Sequence, residues 1–126
     1  MRLLLDTATL MWVVESPGRL SRRAASALSS RENSLELSVV SLSEIAIKTA
    51  VGKFKLSLAD LRPALEDFGV RILPYRADHV FTLFELALHH KDPFDRQIIA
   101  QALCERIPVV TPDEKFGLYD GLEVIW

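Results

Sequence analysis

Met1-Arg2-Leu3-Leu4-Leu5-Asp6-Thr7 opens the chain with three consecutive leucines that stop at a carboxylate. A short continuous apolar run closed by polar residues is the pattern of a strand covered on both faces of a parallel sheet. Pro108-Val109-Val110-Thr111-Pro112-Asp113 repeats that pattern near the other end of the chain, again with a carboxylate beyond it. These two runs are read as the central strands. Leu35, Leu37 and Val39 alternate with Glu36 and Ser38, and Val70 and Ile72 flank Arg71, which predicts half-exposed strands nearer the sheet's edge. Leu122-Glu123-Val124-Ile125-Trp126 supplies a fifth strand.

Helical periodicity fills the intervals at about 7–14, 20–31, 42–51, 58–68, 77–90 and 94–106, with a short turn after Pro112. Alternating strands and helices imply right-handed crossovers, a parallel sheet with helices on both faces, and a ligand site beyond the carboxyl ends of the strands. Gly52 suits a left-handed cap at the end of the third helix. No repeat or linker divides the 126 residues, of which 49% are hydrophobic and 25% charged, so one domain over 1–126 is expected. Such a domain buries about two thirds of its unfolded surface.

Composition removes several classes of function. No apolar run reaches the ~20 residues of a membrane helix, and Asp6 interrupts the first one too early for a secretory signal, so a cytoplasmic protein without a membrane role is expected. Cys104 is alone and lies among Ala102, Leu103 and Ile99, which predicts a buried, inert thiol. The net charge of -2 offers no global attraction to a polyanion, which would have to be held by local basic side chains or through bound cations. His79, His89 and His90 form no spaced metal motif, and the adjacent pair is read as interacting with a helix end. Trp12, Phe81, Phe84 and Phe94 are read as core or interface.

Four carboxylates draw attention, each with an ordinary explanation beside it. Asp6 suits a helix N-cap. Ser41-Leu42-Ser43-Glu44 reads as a capping box, and Lys48 four residues on offers Glu44 an ion pair. Apolar residues take up most of that helix, which leaves Glu44 facing solvent or a cleft. Asp92-Pro93-Phe94-Asp95 is helix-start chemistry, with Asp92 as cap. Asp113 follows Thr111-Pro112 in the same manner. Asp95 resists the ordinary account, because it heads the apolar stripe of Ile98, Ile99 and Ala102, and an ionised acid there needs a partner or a metal. If the two central strands are neighbours, Asp6 and Asp113 emerge together and the sixth helix delivers Asp95. Crowded oxygen ligands of this kind suit Mg²⁺ or Mn²⁺.

Asp6-Thr7, Ser41 to Lys48 with Gly52-Lys53, His90 to Ala102, and Thr111-Pro112-Asp113-Glu114-Lys115-Phe116 together resemble the PIN domain of VapC-type toxins, over almost the entire chain. The most specific segment is His90-Lys91-Asp92-Pro93-Phe94-Asp95-Arg96-Gln97-Ile98-Ile99-Ala100-Gln101-Ala102. The resemblance implies an α/β fold, a three-layer α/β/α sandwich around a mostly parallel five-stranded sheet. It also implies a Mg²⁺- or Mn²⁺-dependent endoribonuclease toxin, neutralised by a cognate VapB-like antitoxin, and a homodimer. Asp6, Glu44, Asp95 and Asp113 match the family's acidic set, Thr111 its accompanying hydroxyl, and Asp92 an accessory acid. Ala8 stands where close relatives often have histidine.

Arg96 and Lys48, with Lys53, Lys55 and Lys115, are candidates for holding RNA phosphates or a partner, Arg96 foremost because it adjoins Asp95; its alternative is to pair with Glu44, Asp92 or another subunit. Two further readings compete. A receiver-like signalling domain predicts a phosphoacceptor aspartate after the middle strand and paired acids after the first, where this chain has Ser41 and an isolated Asp6. A catalytically silent PIN scaffold acting through partners is disfavoured by the complete acidic set.

Overall fold

The computed structural model describes all residues, Met1–Trp126. Five strands, β1 (Arg2–Leu5), β2 (Ser34–Ser38), β3 (Val70–Leu73), β4 (Val109–Val110) and β5 (Val124–Ile125), form one sheet in the order β3-β2-β1-β4-β5. Every pairing is parallel, β5 included, so the expected mostly parallel sheet is wholly parallel. That order also differs from the 2-1-3-4-5 of receiver-type sheets.

Helices cover both faces. Leu3, Leu5, Leu37, Val70 and Val110 form one core with residues of α1 (Thr7–Glu15), α2 (Arg22–Ser29) and α4 (Leu58–Asp67). Leu4 and Val109 point to the opposite core, against Ile98, Ile99 and Ala102 of α6 (Pro93–Glu105), which is itself packed on α5 (Ala77–Phe84). Burial on both faces explains the unbroken leucines of β1. At about 1.5–3 kcal/mol for each fully buried leucine, this strand is a principal source of stability. α3 (Val39–Ala50) crosses the carboxyl edge and sends Val40 into one core and Ile45 into the other. It ends as expected at Gly52, whose φ of +79° is the left-handed conformation glycine tolerates.

The structure corrects four local expectations. β2, second from the sheet's edge, is buried rather than half-exposed: it lies between β1 and β3, and Glu36 is covered by a long-range partner, Arg2 Nε donating to its carboxylate at 2.6 Å. α3 starts three residues early, capped by Ser38, whose hydroxyl accepts from Val40 N–H; Ser41 is inside the helix and caps nothing. α2 is two residues shorter at each end than predicted, because Ser21 caps its start, accepting from Ala24 N–H, and Ser30 ends it in an extended conformation. α5 stops at Phe84, and the chain from Glu85 to Asp92 is irregular because side chains take its carbonyls, as described below.

A polar network fastens α5 and α6 to the sheet. Glu105 accepts from Arg2 (3.1 Å), Arg76 (3.0 Å) and His79 Nε2 (3.1 Å). His79 is fully buried, and its Nδ1 accepts from Arg76 N–H, so the ring proton lies on Nε2 and is donated to Glu105. His79 is therefore a structural donor, although Cys104 and Glu105 lie close enough to suggest a metal site. Cys104 is half-buried rather than buried, with its sulfur near the Asp78 carboxylate.

The His79 hydrogen bond, followed by that from Arg2, holds Glu105 below the ordinary carboxylate value of 4.5. Its stabilisation is present above that value and disappears as pH falls through the lowered one. Glu105→Gln should destabilise the protein at pH 7 by on the order of 1 kcal/mol, after allowing for solvent around the arginines. Chemical denaturation should show this gap closing in acid.

Candidate active site

The register of β1 against β4 builds the site. Leu5 pairs with Val110, so Asp6 and Thr111 leave the sheet side by side, and Asp6 N–H donates to Val110 carbonyl. Thr111, not Asp113, is thus the immediate neighbour of Asp6. Its hydroxyl donates to Asp6 Oδ2 at 2.6 Å and accepts from Asp113 N–H at 3.0 Å, tying both acids to one strand end. Asp6 Oδ1 accepts from Thr9 N–H, so the N-cap reading and the site reading hold together for one residue. Asp92 likewise caps α6, accepting from Phe94 and Asp95 N–H, and Asp113 caps the 3-10 turn Glu114–Leu118.

Asp6, Glu44, Asp92, Asp95 and Asp113 all line one cleft of about 410 Å³. Thr7 Oγ1 donates to Ser41 Oγ at 2.9 Å, which locks α3 against the start of α1 and sets Glu44 at the cleft wall. Glu44 is 5% exposed; Lys48 Nζ donates to its Oε2 at 2.5 Å, while Oε1 is buried with no partner. A buried carboxylate oxygen left unsatisfied is costly and calls for a donor or a cation.

Sequence reasoning missed His90. It is buried, and its Nδ1 accepts from Asp92 N–H at 3.1 Å, so the neutral ring carries its proton on Nε2. That atom lies 2.7 Å from Asp113 Oδ2 and 3.2 Å from Asp95 Oδ2, and all three lie within 4.8 Å of one another. The ring N–H is thus given to Asp113, with the Asp95 carboxylate close beside it. The segment carrying His90 is pinned by Arg96, whose guanidinium donates to the carbonyls of Ala87 (3.0 Å), His90 (3.1 Å) and Leu86 (3.3 Å). Arg96 thus pairs with backbone carbonyls and not with Glu44 or Asp92. Tyr119 completes the clamp, donating to Ala87 carbonyl and accepting from His90 N–H, both at 2.8 Å. Replacing it by Phe leaves His90 N–H without an acceptor, while Ala87 carbonyl keeps Arg96, and should cost about 1–3 kcal/mol, readable as a fall in thermal midpoint.

Crowding shows in the protonation of the acids. Asp95 is pushed up to about 7, first by burial and then by Asp92, Asp6, Glu44 and Asp113. Burial also raises Asp6, against the hydrogen bonds from Thr111 and Thr9. The cleft thus carries a negative field that protein cations do not neutralise. Hard oxygen donors, an orphaned Glu44 oxygen and raised acids together fit a Mg²⁺- or Mn²⁺-sized cation. Trp12 also lines this cleft, half-buried, rather than serving only as core.

A family model described as the PIN domain matches residues 3–122. The chain belongs to the PIN domain family. Among solved structures, VapBC2 from Rickettsia felis bound to a promoter DNA fragment is similar at a TM-score of 0.75 and 20% identity, covering 98% of this chain and 97% of that one. VapBC-1 from nontypeable Haemophilus influenzae gives 0.74 and 19%, covering 98% and 96%. FitAcB from Neisseria gonorrhoeae gives 0.63 and 19%, covering 97% and 95%. At these identities the likeness is one of fold. No curated protein matches in sequence. The PIN fold accounts for the acids meeting at the carboxyl edge of the sheet, and no helix of this PIN domain is long and apolar enough to cross a membrane.

Proposed function

We propose that this PIN domain is a metal-dependent endoribonuclease of the VapC toxin type, acting in the cytoplasm and neutralised by a cognate VapB-like antitoxin. The observation that carries the reading is the facing pair Asp95 and Asp113 in one cleft with Asp6 and the half-satisfied Glu44. Asp6, Glu44, Asp95 and Asp113 would hold Mg²⁺ or Mn²⁺. Such a cation supplies activation of water near neutral pH and charge stabilisation at a phosphoryl group.

The chain's own residues do the rest. Thr111 and Thr9 fix both oxygens of Asp6, so its carboxylate is oriented before any ligand arrives. His90 aligns Asp95 and Asp113, and Asp92 holds the first turn of α6 that carries Asp95. Lys48, over the faces of Phe54 and Phe94, balances Glu44 and presents positive charge to an approaching phosphate. An acid of raised pKa such as Asp95 suits proton transfer to or from water.

Antitoxin pairing rests on the similarity to the VapBC structures. A homodimer is supported by the exposed Phe81 and Phe84 of α5 with Leu88 beyond it; a monomer by light scattering at micromolar concentration would remove it. The functional test is cleavage of RNA by purified protein with Mg²⁺, its arrest by EDTA, and its loss in a folded Asp6→Asn variant. Cleavage by that variant at the wild-type rate would take Asp6 out of the centre.

A further inference from the structure

The acid cleft repels RNA, so the cations on its wall decide how a nucleotide is held. Only Lys48 and Arg19 are available there, against six carboxylates that include Glu15. Lys48 is tied to Glu44. Arg19, exposed, takes part in no ion pair or side-chain hydrogen bond, and its guanidinium carbon lies 4.0 Å above the centre of the Trp12 ring. Trp12 is backed in turn by Trp126, ring centres 5.6 Å apart. Arg19 ends the 3-10 turn Pro17–Arg19, which is closed by the bonds Arg19 N–H to Ser16 carbonyl and Leu20 N–H to Pro17 carbonyl, so its backbone is set in advance.

A guanidinium held over an indole keeps N–H groups for a phosphate and an outer face for a nucleobase, a combination lysine cannot offer. We propose that the Trp12–Arg19 stack is a nucleotide-holding platform at the end of the cleft, which takes a backbone phosphate and the adjoining unpaired base of single-stranded RNA next to the cleavage position. Bases within a duplex cannot turn out onto such a plane without unpairing, so the platform selects single-stranded or looped RNA. This rests on the ribonuclease reading, to which it adds two residues that hold the substrate.

The test is binding of a short fluorescein-labelled single-stranded RNA, and of its duplex, followed by anisotropy in the Asp95→Asn background with Mg²⁺. Arg19→Ala should weaken single-strand binding about tenfold and lower the slope of log affinity against log salt by about 0.7, the share of one phosphate contact on a single strand. Arg19→Lys should restore the slope but not the full affinity, and Trp12→Ala should weaken binding while Arg19 remains. The duplex should bind more weakly and ignore all three changes. Unchanged affinity and slope in Arg19→Ala, with Asp95→Asn still abolishing cleavage, would refute the platform and leave the nuclease reading standing. Arg19-dependent binding by a chain that never cleaves RNA would do the reverse. Loss of antitoxin capture with unaltered RNA binding in Arg19→Ala would reassign the stack to a protein partner and overturn the proposal.

Discussion

Asp95→Asn is expected to lower metal-dependent RNA cleavage by about a hundred- to a thousandfold, the scale of a lost group whose charge acts on the transition state, while making the metal-free protein more stable at pH 8. The two effects have one cause. Asp95 sits largely out of water among Asp92, Asp6, Glu44 and Asp113, and its carboxyl is pushed up to about 7 from an ordinary 3.8. The folded state therefore holds a proton that the unfolded chain has released between those values, and stability falls as pH rises through that window. Asparagine does not titrate, so variant and wild type should have similar thermal midpoints near pH 4 and separate by several degrees at pH 8, the variant higher. Added Mg²⁺ should reverse the ranking, because a cation that binds only the folded wild type stabilises it by mass action. Differential scanning fluorimetry at two pH values, with and without Mg²⁺, reads all four corners. A variant less stable than wild type in every corner would mean that Asp95 is a structural acid.

His90→Ala should be damaging in the opposite sense, losing stability and activity together. The buried ring gives its N–H to Asp113, lies 3.2 Å from Asp95, and accepts Asp92 N–H. Its removal leaves a void, an unpaired backbone donor and two acids with no donor between them, at about 2–4 kcal/mol. Cleavage should fall by about 10- to 100-fold, typical for a residue that orients ligands rather than reacting. High Mg²⁺ should recover part of it, since the ligands remain. A loss as complete as that of Asp95→Asn, without recovery, would mean that the imidazole itself reacts.

How much was legible in advance follows from the range of the interactions. β1 and β4 read cleanly because burial on both faces leaves nothing but apolar residues, and the acids beyond them read because capping a helix and lining the sheet's carboxyl edge are the same position in this fold. β2 reads as half-exposed because Glu36 is solvated in appearance and neutralised in fact, by Arg2 on the neighbouring strand. The end of α5 was overrun because Leu86, Ala87 and Leu88 continue an apolar pattern, while the carbonyls of Leu86 and Ala87 are taken by side chains from α6 and the turn before β5. His90 could have been suspected from its place two residues before Asp92. Nothing local distinguishes it from the exposed His89, and its partner Asp113 is far along the chain. Arg19 was passed over for the same reason, since its value lies in what Trp12 does to it.

The central claim, that these four acids direct water at an RNA phosphodiester through a divalent cation, is tested most directly by the ends left after cleavage. Purified protein with Mg²⁺ and a defined single-stranded RNA should yield linear monophosphate and free hydroxyl ends from the outset, and none with EDTA. Products ending in 2′,3′-cyclic phosphate, formed as readily in EDTA, would mean that the ribose hydroxyl attacks without a metal and would contradict the account.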